Sequence, residues 1–392
     1  MNVYMDNAAT TKLSRAAKEA MLPALDELYG NPSSLHHWGQ QAAAALQSAR
    51  ERVAACLHAD PKEIYFTSGG SEADNQAIMS CAMAGARQGK KHIISTQAEH
   101  HAVLHCLRAL EEQGFALSLL PVERDTGLLR PEDVEAALRE NTCLVTVMMA
   151  NNEIGTIQPI AEIGALCRVR KIPFHTDAVQ AVGHVPVDVG ALNADLLSLA
   201  AHKFHGPKGI GALYCRKGVP LRPLLLGGAQ EHGRRAGTEN LPAIAGMAAA
   251  LEEAVAELPE TSVRVAGLRD QLIDGLMGLP HTYLNGDRCR RLPGNVNFCF
   301  DGLESEALLL LLDDRGIGAS SGSACTSGSL DPSHVLLAIG RSHAAANGSL
   351  RLSLSRYTTQ REIDYALREI PKVVGYLRGM SPYWDELLKG EQ

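Results

Sequence analysis

Several things are missing from this sequence, and each absence excludes something. No apolar run reaches the ~18 residues that cross a bilayer. Residues 1–6 have neither a basic n-region nor an apolar h-region, so no secretory leader is expected. Positive charge is in deficit: 37 Lys and Arg stand against 44 Asp and Glu, a formal net charge of −7. That argues against nucleic acid or an anionic membrane as the main partner. The nine cysteines are scattered and include no C-x-x-C pair. This speaks against a disulfide framework or a zinc site and for reduced thiols in the cytoplasm. There is no internal repeat and no low-complexity tail. What is present is ordinary for a globular chain: 45% hydrophobic and 21% charged residues over 392 positions, enough for two lobes.

Short apolar runs at 63–67, 91–96, 116–121, 144–149, 173–177 and 194–199 read as strands. Helical periods lie between them, at about 102–112, 131–139 and 160–169, with another that residues 68–75 lead into and that runs to about 87. That alternation predicts an α/β fold with a mainly parallel, mixed sheet covered by helices on both faces. Residues 241–277 read as helical, with a break expected at Pro259-Glu260-Thr261. We place there the boundary between a large unit, 15–258, and a small α+β unit made of 1–14 and 259–392. Ligands of such sheets sit beyond the carboxyl ends of the strands. The residues with chemistry to offer fall at those ends.

Lys203 follows the run 194–199 on a turn built from His202-Lys203-Phe204-His205-Gly206-Pro207. A lone lysine is usually a surface charge; flanked by imidazoles and glycines, it fits a Schiff-base nucleophile for pyridoxal phosphate. That cofactor needs three more groups. Ser68-Gly69-Gly70-Ser71-Glu72, between strand and helix, suits a phosphate, or else is an ordinary cap by Ser68 or Ser71. His100, after the strand ending at Thr96, can stack on a flat ring and shuttle protons, or serve structure alone. Asp177 can hold a protonated pyridine nitrogen, or cap its own turn, and Gln180 three residues on can reach the ring oxygen. Asn151 and Asn152 fit either ligand contacts or turn chemistry.

Together these pieces resemble the NifS/IscS-type cysteine desulfurases along the whole chain. The most specific are Asn151-Asn152-Glu153, His175-Thr176-Asp177-Ala178-Val179-Gln180, His202-Lys203, Arg234-Arg235-Ala236-Gly237-Thr238-Glu239-Asn240 and Ser321-Gly322-Ser323-Ala324-Cys325-Thr326-Ser327-Gly328-Ser329. The resemblance to the NifS branch is the closer, through Gly233 to Asn240 and Leu354-Ser355-Arg356-Tyr357-Thr358-Thr359. It implies a fold-type I homodimer using pyridoxal 5'-phosphate, with Lys203 as the Schiff-base lysine and Asp177 on the pyridine nitrogen. Asn152 and Gln180 would contact the ring oxygen or substrate, and His100 would stack and transfer protons. Gly70, Ser71 and His202 would hold the phosphate, with Thr238 reaching a phosphate across the dimer. Arg351 would bind the substrate carboxylate. One departure stands out: relatives such as IscS carry serine where this chain has Ala200, so only the backbone N–H of Ala200 can serve the phosphate.

The resemblance makes Cys325 the sulfur acceptor, and it leaves open whether Cys325 also ligates a transient iron–sulfur cluster. On its own terms, Cys325 stands among small residues with little to bury, which predicts an accessible, reactive thiol. The implied reaction turns L-cysteine into L-alanine and an enzyme persulfide. The sulfur would pass to a NifU/IscU-type scaffold, the NifS likeness pointing to nitrogenase metalloclusters. The nearest rival is a selenocysteine lyase or another class-V aminotransferase-type enzyme. The rival of another kind is a scaffold without catalysis, which the Lys203, Asp177 and His100 set argues against.

Overall fold

The computed structural model describes residues 1–321 and 332–390. In chain order its strands are β1 (Val3–Tyr4), β2 (Ile64–Thr67), β3 (His92–Thr96), β4 (Ala116–Leu120), β5 (Thr142–Thr146), β6 (Phe174–Asp177), β7 (Leu196–Ala200), β8 (Gly211–Cys215), β9 (Thr282–Leu284), β10 (Asn295–Phe300), β11 (Ile317–Gly318) and β12 (Ser349–Ser353). Seven form the main sheet, in the order β2-β8-β7-β6-β5-β3-β4. From β7 to β4 every pairing is parallel. Only β8 runs against both of its neighbours, β2 and β7. The carboxyl ends of the other six therefore open on one side.

Alternate side chains of these strands enter two different cores. On β8, Ala212 and Tyr214 pack with the helices Arg15–Asp26, His37–Leu57 and Leu241–Met277, while Leu213 and Cys215 pack with Gly70–Ala86 and His101–Glu111. Burial on both faces explains why the strands read as unbroken apolar runs. The antiparallel sheet β12-β10-β9 has its own core, where Phe298, Phe300, Leu350 and Leu352 meet Ile363, Ile370 and Val373 of the helix Gln360–Arg378. The first residues of the chain join this second body: β1 pairs in parallel with β11, and Asp6 bridges to Ser353.

Two features depart from expectation. Strand β8 differs from the sequence reading, because its five residues begin with Gly211 and come soon after Gly206 and Gly209. Gly209, at φ +77°, makes the reversal that only a residue free of Cβ strain takes easily. Gly211 then packs so tightly that a Cβ there would lie 2.5 Å from the Leu199 carbonyl oxygen and 2.8 Å from Gly69 Cα.

The expected break at Pro259 is also absent: Leu241–Met277 is one helix of 37 residues with Pro259 inside it. Its first half buries Met247 and Leu251 in the main core, and its second buries Leu268, Leu272 and Leu276 in the small-sheet core. An interior proline costs about 3 kcal/mol. Each buried Leu or Met contributes roughly 1.5–3 kcal/mol, so anchorage at both ends outweighs the exposed proline between them. Pro259→Ala restores a backbone donor in a helix that already runs through. It should raise the free energy of urea unfolding by about 1–3 kcal/mol. An unchanged or lowered value would show that the chain turns there after all.

Candidate active site

A cavity of about 290 Å³ opens at the carboxyl ends of β2, β3, β5, β6 and β7. Strand β7 leads into a single 3₁₀ turn, Ala201–Lys203, which delivers Lys203 to the cavity wall. Its Nζ donates to the carbonyl oxygens of Ala8 and Ala9, at 2.6 and 2.8 Å. The N-terminal arm therefore holds the amine inside the site. His202 also lines the cavity, with Nδ1 3.3 Å from Thr10 Oγ1. Burial, aided by Lys203 and Lys208, pushes its imidazole down to about 4, so the ring is neutral at neutral pH.

Asp177 ends β6 and is buried. Its Oδ1 accepts from the Val179 N–H at 2.9 Å, so it caps its turn and lines the cavity at once. Burial pushes this carboxyl up, and His100, the Val179 N–H and Lys203 pull it back. His100 is the N-cap of His101–Glu111, where its Nδ1 accepts from the Ala102 N–H at 3.1 Å. That bond leaves the proton of the neutral ring on Nε2. Gln180 lines the cavity and donates to the Ala8 oxygen at 3.0 Å.

The two asparagines separate. Asn151 Oδ1 accepts from the Glu153 and Ile154 N–H groups, which is turn chemistry, while Asn152 lines the cavity.

The helix Gly70–Ala86 begins at Gly69 with no side-chain cap bond, so neither Ser68 nor Ser71 caps it. Its first N–H groups have no partner within the helix, and its positive end meets the cavity at Gly70 and Ser71. A Cβ at Gly70 would lie 2.6 Å from Val179 Cγ2 and 3.7 Å from Ala200 Cβ. The cradle thus needs a glycine, and Ala200 forms its floor. This is a fit for a phosphate. With a buried carboxylate, an imidazole and a lysine around the same space, the residues fit pyridoxal phosphate.

Arg351 reaches the cavity from β12 of the small sheet and is only 2% exposed. Its Nη2 pairs with Asp6 Oδ1 at 3.0 Å and its Nη1 donates to the Asn152 oxygen at 2.9 Å. Its Nε has no partner among the described residues. A fixed guanidinium with a donor to spare suits a substrate carboxylate. Thr238 is exposed and does not line this cavity. Cys325 lies outside the described residues. Among those residues no group of three potential ligands can hold a metal ion.

Three buried acids escaped sequence reasoning: Asp74, Glu99 and Glu153. Asp74 follows Gly70 by one helical turn, and that spacing was the available signal for its facing the cavity. Glu153 accepts from Ser333 Oγ, and burial pushes it up to about 7. Glu99 accepts from the Met148 N–H and Thr96 Oγ1, and burial pushes it up to about 8.

Raised carboxyls have a definite sign in stability. Unfolded Glu99 ionises near its ordinary value while the folded form keeps its proton to about pH 8, so its contribution falls as pH rises across that window. The melting temperature of Glu99→Gln relative to the parent should therefore climb from pH 5 to pH 8. A flat difference would reject a protonated Glu99.

Comparison with known proteins follows the same lines. Residues 3–366 match the class-V aminotransferase family. "Cysteine desulfurase IscS" of Methanosarcina thermophila is 54% identical over 380 residues, covering 97% of this chain and 94% of that protein. The solved structure of a "NifS-like protein" superposes with a TM-score of 0.90 at 39% identity, covering 96% of this chain and all of the other. "SspA in complex with cysteine" superposes with a TM-score of 0.80 at 38% identity, covering 91% of this chain and all of the other. Family match and full-length likeness agree with the residues around the cavity: the chain belongs to the class-V aminotransferases, and pyridoxal phosphate is its cofactor.

Proposed function

We propose that this chain is a cysteine desulfurase, turning L-cysteine and the Cys325 thiol into L-alanine and a Cys325 persulfide. The carrying observation is that Lys203, Asp177, His100 and Arg351, drawn from both sheets and the connections around them, meet around one cavity. The relatives named cysteine desulfurase, and the similar structure solved with cysteine, support the choice of substrate.

When bound, pyridoxal phosphate supplies an electron sink for charge developing at the substrate Cα. The first N–H groups of Gly70–Ala86 and the Ser71 hydroxyl hold its phosphate, with the Ala200 N–H in place of the missing hydroxyl. Asp177 keeps the proton on the pyridine nitrogen. Arg351 grips the substrate carboxylate, and Asn152 and Gln180 orient the neighbouring oxygens. Lys203 would move the proton at the substrate Cα. His100 would stack on the ring and move protons through Nε2. The Cys325 thiolate then attacks the substrate sulfur: the carbon–sulfur bond breaks, a sulfur–sulfur bond forms, and Cβ takes a proton to become the methyl of alanine.

Chain connectivity supports Cys325. Ser320 is buried and paired with Arg351, its N–H donating to the Arg351 oxygen at 3.2 Å and its oxygen accepting at 2.6 Å. Cys325 follows Ser320 by five residues in the sequence.

A homodimer completes the reading. Exposed Leu25, Tyr29, Leu35 and Trp38, with Leu224 to Leu226, offer an apolar surface beside the segment that leads to Thr238. Within that segment Glu231 is held at φ 46° by two 2.7 Å bonds from Arg50, which sets the course of the chain towards Thr238. Thr238 would then serve the partner subunit's phosphate. The acceptor we propose is an iron–sulfur scaffold of the NifU/IscU type in the cytoplasm. A route dedicated to nitrogenase rests on the likeness of Gly233 to Asn240 to the NifS branch.

Two variants test the reaction together. Cys325→Ala should keep the cofactor's absorbance and its spectral response to cysteine, while alanine and persulfide formation fall to background. Lys203→Ala should lose turnover and hold the cofactor without a covalent link. Unimpaired alanine release by Cys325→Ala would instead favour a lyase reaction that breaks the carbon–sulfur bond without a loop thiol.

A further inference from the structure

Asp74 lines the same cavity as Asp177 and is 1% exposed, yet the reaction above gives it no task. Its Oδ1 has no hydrogen-bond partner among the described residues and stands 3.6 Å from His175 Nε2. His175 is itself fully buried, with Nδ1 2.8 Å from Thr146 Oγ1 and Nε2 2.9 Å from Ser198 Oγ. Ser198 pairs in register with Asp177 across β6 and β7, and its hydroxyl favours the Asp74 anion. A buried polar chain therefore runs from Thr146 through His175 to Ser198, with Asp74 Oδ1 beside His175 Nε2.

The surroundings treat the two carboxyls differently. Asp177 feels His100, Lys203 and the Val179 N–H, all of which favour its anion. Burial pushes the Asp74 carboxyl well up, Asp177 and Glu99 add to that, and only the Ser198 hydroxyl pulls it back. His175 offers no balancing charge, because burial pushes it down to about 3. Two neighbouring carboxyls in one dry floor do not both ionise; the environment decides which keeps the proton.

We infer that Asp74 is a positioning residue that stays un-ionised at neutral pH, so that Asp177 is the single negative carboxyl beneath the cofactor ring. This rests on the reading of Asp177 as partner of the ring nitrogen. A second anion at Asp74 would raise the proton affinity of Asp177 and draw the proton off the ring, weakening the electron sink. A neutral Asp74, fixed by Ser198, leaves that proton on the ring.

The test uses the holoenzyme and Asp74→Asn, which copies a neutral carboxyl in shape and charge. The infrared difference between parent and variant at pH 7 should show the loss of one carboxylic-acid carbonyl band. The pH midpoint of the cofactor's visible absorbance change should stay within about 0.3 units of the parent. Absence of that band, or a midpoint displaced by about one unit or more, would mean an ionised Asp74 and overturn the proposal. Asp177→Asn is the control: it should displace the midpoint. If it does not, the role of Asp177 falls, and this proposal with it, whatever band Asp74 gives. Should Asp74→Asn fail to fold, Ser198→Ala removes the hydroxyl on Asp74 and should move the same band to higher frequency. A band that stays in place would count against the proposal.

Discussion

Between Asp6 and Ser14 the chain crosses from the small sheet to the turn that bears Lys203, and the site depends on that crossing. Asp6 meets Arg351 at 3.0 Å, and Asn7 Nδ2 donates to the Ser353 oxygen at 2.8 Å. Ala8 and Ala9 give their carbonyls to Lys203. Thr11 donates through both N–H and Oγ1 to the His202 oxygen, and the Ser14 N–H donates to the His205 oxygen. Each such bond is worth only about 0.5–1.5 kcal/mol net, but here they act in series on one short segment. The arm places the arginine of one sheet and the lysine of the other against a shared backbone. It also gives the lysine two acceptors that carry no formal charge.

The other constraint is dryness. Asp74, Glu99, Glu153 and Asp177 are all buried near the ends of the parallel strands, where carboxylates are expensive unless paired or hydrogen-bonded. Lys203, His100 and Arg351 meet only part of that demand. The remainder falls on hydroxyls and backbone N–H groups such as those of Thr96, Met148 and Ser333. A site arranged in this way holds its protons in fixed places, which suits a reaction consisting largely of moving them.

Much of this was readable in the sequence for a definite reason. A parallel sheet sends its useful residues to one edge, so a strand-end lysine, aspartate and histidine announce themselves once the alternation is seen. What escaped was hidden by local signals that tertiary packing overrode. Glycines beside residues 211–215 masked β8, and Pro259 masked a helix anchored in two cores. Asn151 and Asn152 could not be told apart by type; only the turn geometry separates them. Asp74 looked like one polar position of a helix, because burial of a polar residue leaves little mark on a sequence. Thr238 is exposed and lies away from the cavity, so one chain gives it no contact there.

Gly211 extends the cofactor cradle into a strand with no residue in the cavity wall. A Cβ at Gly211 would collide with the Leu199 carbonyl and the Gly69 backbone, at the start of the helix Gly70–Ala86. The cradle is therefore two layers thick, and its lower layer is the one reversed strand of the sheet. Selection for cofactor retention then acts on positions that never meet the cofactor. A bulkier residue at 211 would push Gly69 towards the ligand as surely as one at Gly70. The tolerance of this enzyme to sequence drift is thus lower on β8 than its distance from the chemistry suggests, and grafting the phosphate loop onto another scaffold would require transplanting the antiparallel strand beneath it as well.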